Sequence, residues 1–181
     1  MSEPNPQQAS MPRRSIAEIS AMSCENFVRL VGPVFEHSPW IAEAVWSGRP
    51  FVSVEQLHSA MCEIVRSAGE EKQLALIRAH PDIVGRAALA GTLTSESTRE
   101  QAGAGLGNLT LEEVSLFQSN NAAYKEKFGF PFVICARLNK KEAILNGFKV
   151  RLKNSREQEV VAALEEIFKI AELRLQDLTR V

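Results

Sequence analysis

The chain has 181 residues, a formal net charge of -1 at neutral pH, 45% hydrophobic residues and 24% charged residues. This length suits one globular domain that buries roughly 70% of the surface of its unfolded chain, and the composition argues against a disordered or coiled-coil body. The nearly neutral charge argues against a nucleic-acid-binding protein, which would have to neutralise phosphates.

No targeting or membrane segment is visible in the sequence. The apolar runs are far shorter than the roughly 20 residues that a spanning helix needs, and polar residues interrupt the region where a secretion signal would have its apolar core. The three cysteines, Cys24, Cys62 and Cys135, are an odd number without metal-binding spacing. We therefore expect no membrane association, free thiols and a cytoplasmic location.

The N-terminal residues 1–14 are predicted to form a flexible tail, because they contain three prolines and little that could be buried. From residue 15 onwards apolar residues recur at helical spacing, which predicts one domain over 15–181. Ser23 is expected to cap the second of two short helices at the start of this domain.

Further helix boundaries follow from capping residues and prolines. Ser38 followed by Pro39 predicts one helix start, and a capping box of Ser53 and Gln56 predicts another. The next helix, over about 70–79, is expected to end by residue 80, because the proline at position 81 disfavours helical geometry in the residue before it.

The second half of the domain is also predicted to be helical. A capping box of Thr110 and Glu113 starts a helix that is expected to end with Gly129 in a left-handed conformation. The apolar run 130–136 is compatible with a buried strand or a buried helix, and we expect a helix because its surroundings are helical.

A helical pattern over about 140–153 and a long final helix, capped by Asn154 or Ser155, complete the chain. No alternating pair of strands is recognisable. The predicted fold class is therefore all-α, a single-domain bundle of about eight helices.

His80 is the best candidate for a reactive group. The histidines His37, His58 and His80 lie on separate predicted elements, and no metal-binding, phosphate-binding or dinucleotide-binding motif occurs, so we expect neither a metal nor a cofactor. A cofactor-free site needs a group that exchanges protons near neutral pH, as histidine does. His80 lies at a helix end beside a forced turn; alternatively, its ring only interacts with the last carbonyl groups of that helix.

The segment 97–101 offers polar groups with two interpretations. Ser97 and Glu100 match a capping box, which would use both residues to start a helix, and the N–H groups of that helix could also face an anion or a polar ring. Gln101 could bind a urea-like or amide substrate, or be merely solvated. The backbone of 132–136 could contact a planar ligand, or belong to the core.

Taken together, several segments form a more specific pattern. They are 80–82, 93–94, 96–97, 99–106, 127–132, 151–152, 169–171 and 173–175, with Gly85, Gly91, Asn121, Tyr124 and Asn154. In this combination the chain resembles the OHCU decarboxylase family over about residues 15–178. These enzymes act on 2-oxo-4-hydroxy-4-carboxy-5-ureidoimidazoline (OHCU), an intermediate of uric acid degradation.

The resemblance implies an all-helical fold, a homodimer, and a decarboxylation without metal or organic cofactor that yields (S)-allantoin. It implies that His80 is the catalytic residue and Glu100 its carboxylate partner, without assigning acid and base between them. The residues that it matches to substrate-contacting positions are Pro81, Ser97, Thr98, Arg99, Glu100, Gln101, Phe132, Val133, Ile134, Cys135 and Ala136.

Two other functions remain open from the sequence. One is an acid/base lyase or isomerase that acts on another ureide, and the other is a non-catalytic helical adaptor in which His80 merely ends a helix. The instability of the expected substrate also makes transient contact with the upstream hydrolase an expectation, with a small ureidoimidazoline as the ligand.

Overall fold

A computed structural model describes residues 13–85 and 90–180. Within these residues the chain forms nine α-helices, two short 3₁₀ helices and no β-strand, which confirms the predicted all-α class. The helices are α1 (Ile16–Ser20), α2 (Cys24–Val31), α3 (Trp40–Trp46), α4 (Val54–Ser67), α5 (Glu70–Ala79), α6 (Ser95–Gly103), α7 (Leu111–Phe128), α8 (Lys141–Arg151) and α9 (Arg156–Leu178). The 3₁₀ helices are Gly32–Val34 and Ala136–Leu138.

Most helix starts follow the predicted caps. The side chains of Ser23, Ser53, Thr110 and Ser155 each accept a hydrogen bond from a backbone N–H in the first turn of the following helix. These N–H groups have no partner within the helix, so a side-chain oxygen that binds one of them defines where the helix begins. The start predicted at Ser38 is wrong by one position, because Pro39 takes the capping position and the helix begins at Trp40.

Two helix ends were also predicted correctly. His80 caps α5 with an extended backbone, as expected for the residue before Pro81. Gly129 caps α7 with φ of 78°, in the left-handed region.

The Gly129 conformation gives a simple stability prediction. Gly129→Ala should lower the free energy of unfolding by about 1 to 2 kcal/mol, because a Cβ disfavours the left-handed conformation although no atom lies within 4 Å of it. Gly103→Ala is the matched control: Gly103 is also free of close neighbours, but its φ is not positive. Urea unfolding of both variants is the measurement, and equal effects would contradict this explanation.

The long C-terminal helix α9 lies at the centre of the fold. It packs against α4, α5 and the first 3₁₀ helix, while α2, α3 and α4 pack in succession and α7 packs on α8. Its buried residues include Ile167, Ile170 and Leu175, and also two charged residues, Glu159 and Arg174. The central helix thus carries a cation into the interior.

The predicted helix over 130–136 is wrong, because residues 131–135 form no regular element, Cys135 has an extended backbone, and only Ala136–Leu138 forms a 3₁₀ turn. Two side chains from later helices and one from the adjacent Asn139 bind the backbone of this segment. Arg151 donates to the Val133 carbonyl oxygen at 2.6 Å, Glu166 accepts from the Cys135 N–H at 2.8 Å, and Asn139 donates to the Cys135 carbonyl at 2.9 Å. These side-chain bonds replace the helical bonds that the segment lacks, and those of Arg151 and Glu166 reach it from 18 and 31 residues further along the chain.

The termini of the described region lie side by side. The Arg14 N–H donates to the Leu178 carbonyl at 3.0 Å, and the Arg180 N–H donates to the Arg14 carbonyl at 3.0 Å. Residues 1–12, which make up most of the predicted flexible tail, lie outside the described residues. Within the described residues no helix has the length and apolar character needed to cross a bilayer.

Candidate active site

A pocket lies between α6, α9 and the segment 131–135 that precedes the second 3₁₀ helix. The end of α5 lies at its edge. The space that no protein atom fills there, including the mouth that opens to solvent, is about 360 Å³. The residues that line it are His80, Pro81, Ile83, Ser97, Glu100, Gln101, Phe132, Val133, Ile134, Ala136, Ile170 and Arg174.

The pocket brings together most of the predicted site residues but not all of them. Thr98 and Arg99 lie on the outer face of α6, where Thr98 donates to the Thr94 carbonyl and Arg99 pairs with Glu96. The helical period explains this difference, since positions 97, 100 and 101 share one face while 98 and 99 point away from it. Cys135 is buried but is not among the lining residues.

His80 is held as a buried, neutral imidazole. Its side chain is 7% exposed, and its Nδ1 lies 3.0 Å from the Leu76 carbonyl oxygen. A carbonyl can only accept, so Nδ1 carries the proton and Nε2 keeps its lone pair. Nε2 has no hydrogen-bond partner within the described part of the chain. Burial lowers the pKa of His80 to about 4, despite the hydrogen bond to Leu76 and the nearby Glu36 charge, which both act in the opposite direction.

Glu100 lines the same pocket, but its hydrogen-bond partner is Arg174 rather than His80. The Nε and Nη2 atoms of Arg174 donate to the two carboxylate oxygens of Glu100, each at 2.8 Å. This two-pronged geometry holds the carboxylate in a fixed orientation. Glu100, which is expected to be the carboxylate partner of His80, faces the same space as His80 but forms no hydrogen bond with it.

Arg174 lines the pocket although no local sequence motif indicates it. It is 5% exposed and donates hydrogen bonds from all three side-chain nitrogens. Hydrogen bonds and charges of Glu100 and Glu36 raise its pKa, although its burial acts in the opposite direction. One signal could have revealed it: Arg174 lies seven residues after Ile167 and three after Ala171, at a position of the apolar stripe of α9 where a charge is costly unless it is paired.

Glu36 is the second carboxylate that binds Arg174, and it was not predicted either. It is 3% exposed, and its Oε2 accepts from Arg174 Nη1 at 2.8 Å. Its Oε1 accepts from the Thr94 hydroxyl at 2.9 Å, and the Ser97 hydroxyl lies 3.3 Å away. Burial raises the pKa of Glu36, but the charge and hydrogen bonds of Arg174 outweigh this effect, so the net pKa is below its ordinary value.

The capping box predicted for Ser97 and Glu100 is wrong. Helix α6 begins at Ser95, and the Thr94 side chain caps it by accepting from the Ser97 N–H. Ser95 and Glu96 thus belong to the helix. Because Thr94 caps the helix, the Glu100 carboxylate is free to bind Arg174 instead of the helix start. The anion near this N-terminus is the protein's own Glu36 carboxylate, bound through Thr94.

Gln101 connects α6 to the loop that follows His80. Its Oε1 accepts from the Val84 N–H at 3.1 Å, and its Nε2 lies 3.5 Å from the Asp82 carbonyl oxygen. Asn121 holds the same loop by donating to the Ile83 carbonyl at 2.8 Å. Both ends of the Gln101 amide thus already bind this loop, and the second N–H of Nε2 is the group left to bind a ligand. Among residues 13–85 and 90–180, no cluster of three His, Cys, Asp or Glu side chains could hold a metal ion.

The chain matches the model of the OHCU decarboxylase family over residues 20–176. A 2-oxo-4-hydroxy-4-carboxy-5-ureidoimidazoline decarboxylase from Amia calva is 45% identical over 161 residues, which are 89% of this chain and 92% of that protein. A uric acid degradation bifunctional protein from Bacillus sp. (strain TB-90) is 41% identical over 168 residues, which are 91% of this chain and 32% of that protein.

A solved structure shares the fold. The crystal structure of (S)-allantoin synthase superimposes with a TM-score of 0.74 and 28% sequence identity, over 91% of this chain and 54% of that one. This chain therefore spans about half the length of that protein. Because the family model covers most of the sequence and the Amia calva relative is 45% identical over nearly its whole length, the chain belongs to the OHCU decarboxylase family.

Proposed function

We propose that the chain converts 2-oxo-4-hydroxy-4-carboxy-5-ureidoimidazoline to (S)-allantoin and carbon dioxide in the pocket beside His80. The observation that carries this proposal is a buried, neutral imidazole with an unbound Nε2, in the same pocket as a carboxylate that a guanidinium holds. The family membership and the likeness to (S)-allantoin synthase support the same reaction.

The substrate carries its own electron sink. When the bond between ring carbon and carboxylate breaks, its electron pair forms a double bond to the neighbouring ring carbon, and the C=N bond there passes its π electrons to nitrogen. That nitrogen takes one proton from solvent. The resulting enol then loses its hydroxyl proton while the carbon that bears the ureido group gains one, so each turnover consumes one proton overall.

In this proposal His80 carries out the proton transfers. Its Nε2 lone pair accepts the proton of the substrate hydroxyl, and the imidazolium then returns a proton to the ureido-bearing carbon. The hydrogen bond from Nδ1 to the Leu76 carbonyl fixes the ring plane and stabilises the cation that forms in between. Delivery from one fixed ring to one face of the planar enol accounts for a single-handed product.

Glu100 has the role of an acceptor for substrate N–H groups, with Arg174 fixing its orientation. Residues 133–135, on another side of the pocket, supply a hydrogen-bond donor for the substrate. The Val133 carbonyl and the Cys135 N–H are already bound by Arg151 and Glu166, and the Ile134 N–H between them is the donor that we assign to a substrate carbonyl oxygen.

The test is circular dichroism during urate oxidation coupled to the upstream hydrolase, with and without this protein. Fast growth of a single-handed allantoin signal is the expected result, because the enzyme delivers the proton to one face. Slow formation of racemic product at the same rate in both reactions would overturn the proposal.

Three further features belong to this proposal. Transient contact with the upstream hydrolase is supported by the bifunctional relative, in which a region like this chain is joined to a second part.

A homodimer follows from the resemblance, and sedimentation equilibrium tests it, with a monomer at micromolar concentration as the contrary result. A cytoplasmic location is supported by the three free cysteines, and fractionation of cells that produce the protein tests it.

A further inference from the structure

Glu36 is a buried carboxylate that does not line the active-site pocket but binds two parts of its machinery. It follows the first 3₁₀ helix closely in sequence, while its partners come from elsewhere: Thr94 and Ser97 from the start of α6, and Arg174 from α9. Three segments that are 58 to 138 residues apart in sequence therefore meet at one side chain.

We propose that Glu36 is a positioning residue for the decarboxylation, because it holds Arg174 and the first turn of α6 in the arrangement that aims Glu100 into the pocket. This inference rests on the function proposed above and adds a residue that never touches the substrate.

Arg174 is bound by a carboxylate at each end of its guanidinium. Its Nε and Nη2 edge binds Glu100, and its Nη1 end binds Glu36 at 2.8 Å, with the Pro33 carbonyl 3.3 Å away. An arginine side chain has many rotamers, so a guanidinium that is bound at one edge only can still pivot. A second charged partner at the opposite end removes this freedom and fixes the orientation of the Glu100 carboxylate.

Glu36 is also connected to the start of α6. Thr94 caps this helix by accepting from the Ser97 N–H, and the same Thr94 hydroxyl donates to Glu36. Glu36 therefore sets where α6 begins relative to α9. Because Glu100 and Gln101 both lie on α6, a shift of its first turn would move them within the pocket, and misplacement by about 1 Å can cost roughly 100-fold in rate.

Charge also connects Glu36 to the site. Arg174 is one buried cation between two carboxylates, and the charge of Glu36 acts to raise the pKa of His80. A neutral group at position 36 would leave Arg174 with one ionic partner, so the guanidinium would no longer be pulled towards the first 3₁₀ helix.

The experiment compares Glu36→Gln, Glu36→Asp and the control Glu113→Gln. Glu36→Gln keeps the shape of the side chain and removes its charge. Glu36→Asp keeps the charge, but its shorter side chain keeps only part of the contact with Arg174. Glu113→Gln removes the same charge and an ion pair with Lys141 that lies outside the pocket. We expect Glu36→Gln to lower kcat by roughly 10-fold to 100-fold with a smaller change in KM. The kcat of Glu36→Asp should lie between those of Glu36→Gln and the unaltered protein, and the kcat of the control should equal that of the unaltered protein.

A second readout does not depend on activity. Relaxation of the Arg174 Nε–H, measured by ¹⁵N NMR and assigned with Arg174→Lys, reports how rigid the guanidinium is. Glu36→Gln should make this group more mobile on the nanosecond timescale, and Glu113→Gln should leave it unchanged. If the unaltered protein forms no allantoin, the proposed function fails, but this readout still decides whether Glu36 holds Arg174.

The inference is overturned if Glu36→Gln retains kcat within twofold of the unaltered protein and leaves Arg174 equally rigid. If Glu36→Gln does not fold, Glu36→Asp carries the test alone. Its shorter side chain should lower kcat and increase the mobility of Arg174 in a folded protein, and no change in either quantity would overturn the inference.

Discussion

The His80→Asn variant should lose about 100-fold to 10,000-fold in kcat, because the proposed proton transfers pass through the imidazole Nε2. The asparagine amide can still donate to the Leu76 carbonyl, which His80 Nδ1 binds at 3.0 Å, so the end of α5 should remain intact. The measurement is the rate of single-handed allantoin formation by circular dichroism. The free energy of unfolding is expected to stay close to that of the unaltered protein.

His58→Asn is the matched control for this variant. His58 also binds a backbone carbonyl, that of Phe168 at 2.9 Å, but it lies outside the active-site pocket. Its replacement should leave the rate unchanged. If His80→Asn retained normal turnover, or if both variants lost it equally, the assignment of His80 as the proton-transfer residue would be wrong.

Arg174→Met should lower the free energy of unfolding by about 3 to 5 kcal/mol at neutral pH, because it leaves the buried Glu36 and Glu100 carboxylates without their cation. The methionine fills a similar volume, so the loss reports the unpaired charges rather than a cavity. Allantoin formation should be lost as well, since Glu100 is no longer oriented. The matched control is Arg137→Met, whose ion pair with the exposed Asp177 should contribute less than about 1 kcal/mol.

The same variant should reverse the pH dependence that Glu36 contributes to stability. In the unaltered protein its pKa is lowered in the folded state, so its contribution is present above the ordinary pKa of 4.5 and is lost as the pH falls below that value. Without Arg174, burial is the largest remaining influence and raises the folded-state pKa, although the Thr94 hydrogen bond still acts to lower it. The contribution of Glu36 to stability should then be present below pH 4.5 and be lost as the pH rises through the raised pKa. Urea unfolding between pH 4 and 7 measures this, and parallel curves for the two proteins would contradict the paired-charge explanation.

The sequence alone determined the features that depend on neighbouring residues. Ser23, Thr110 and Ser155 cap helices because their side chains reach backbone N–H groups only three positions away. Likewise His80 ends α5 because the following proline acts on it directly, and the resemblance to a family located the pocket at His80. Local chemistry of this kind does not depend on how the helices pack.

Only the tertiary structure decided the rest. The irregular conformation of 131–135 depends on bonds from Arg151 and Glu166, which lie on later helices, so the local apolar pattern could not distinguish it from a buried helix. The partner of Glu100 is Arg174, 74 residues further along the chain, and Arg174 binds Glu36 across 138 residues. Charge pairs over such separations form only when packing brings the elements together. The histidine that we propose as the reactive group could therefore be found by reading the sequence, whereas the ion network beside it could be found only in the folded chain.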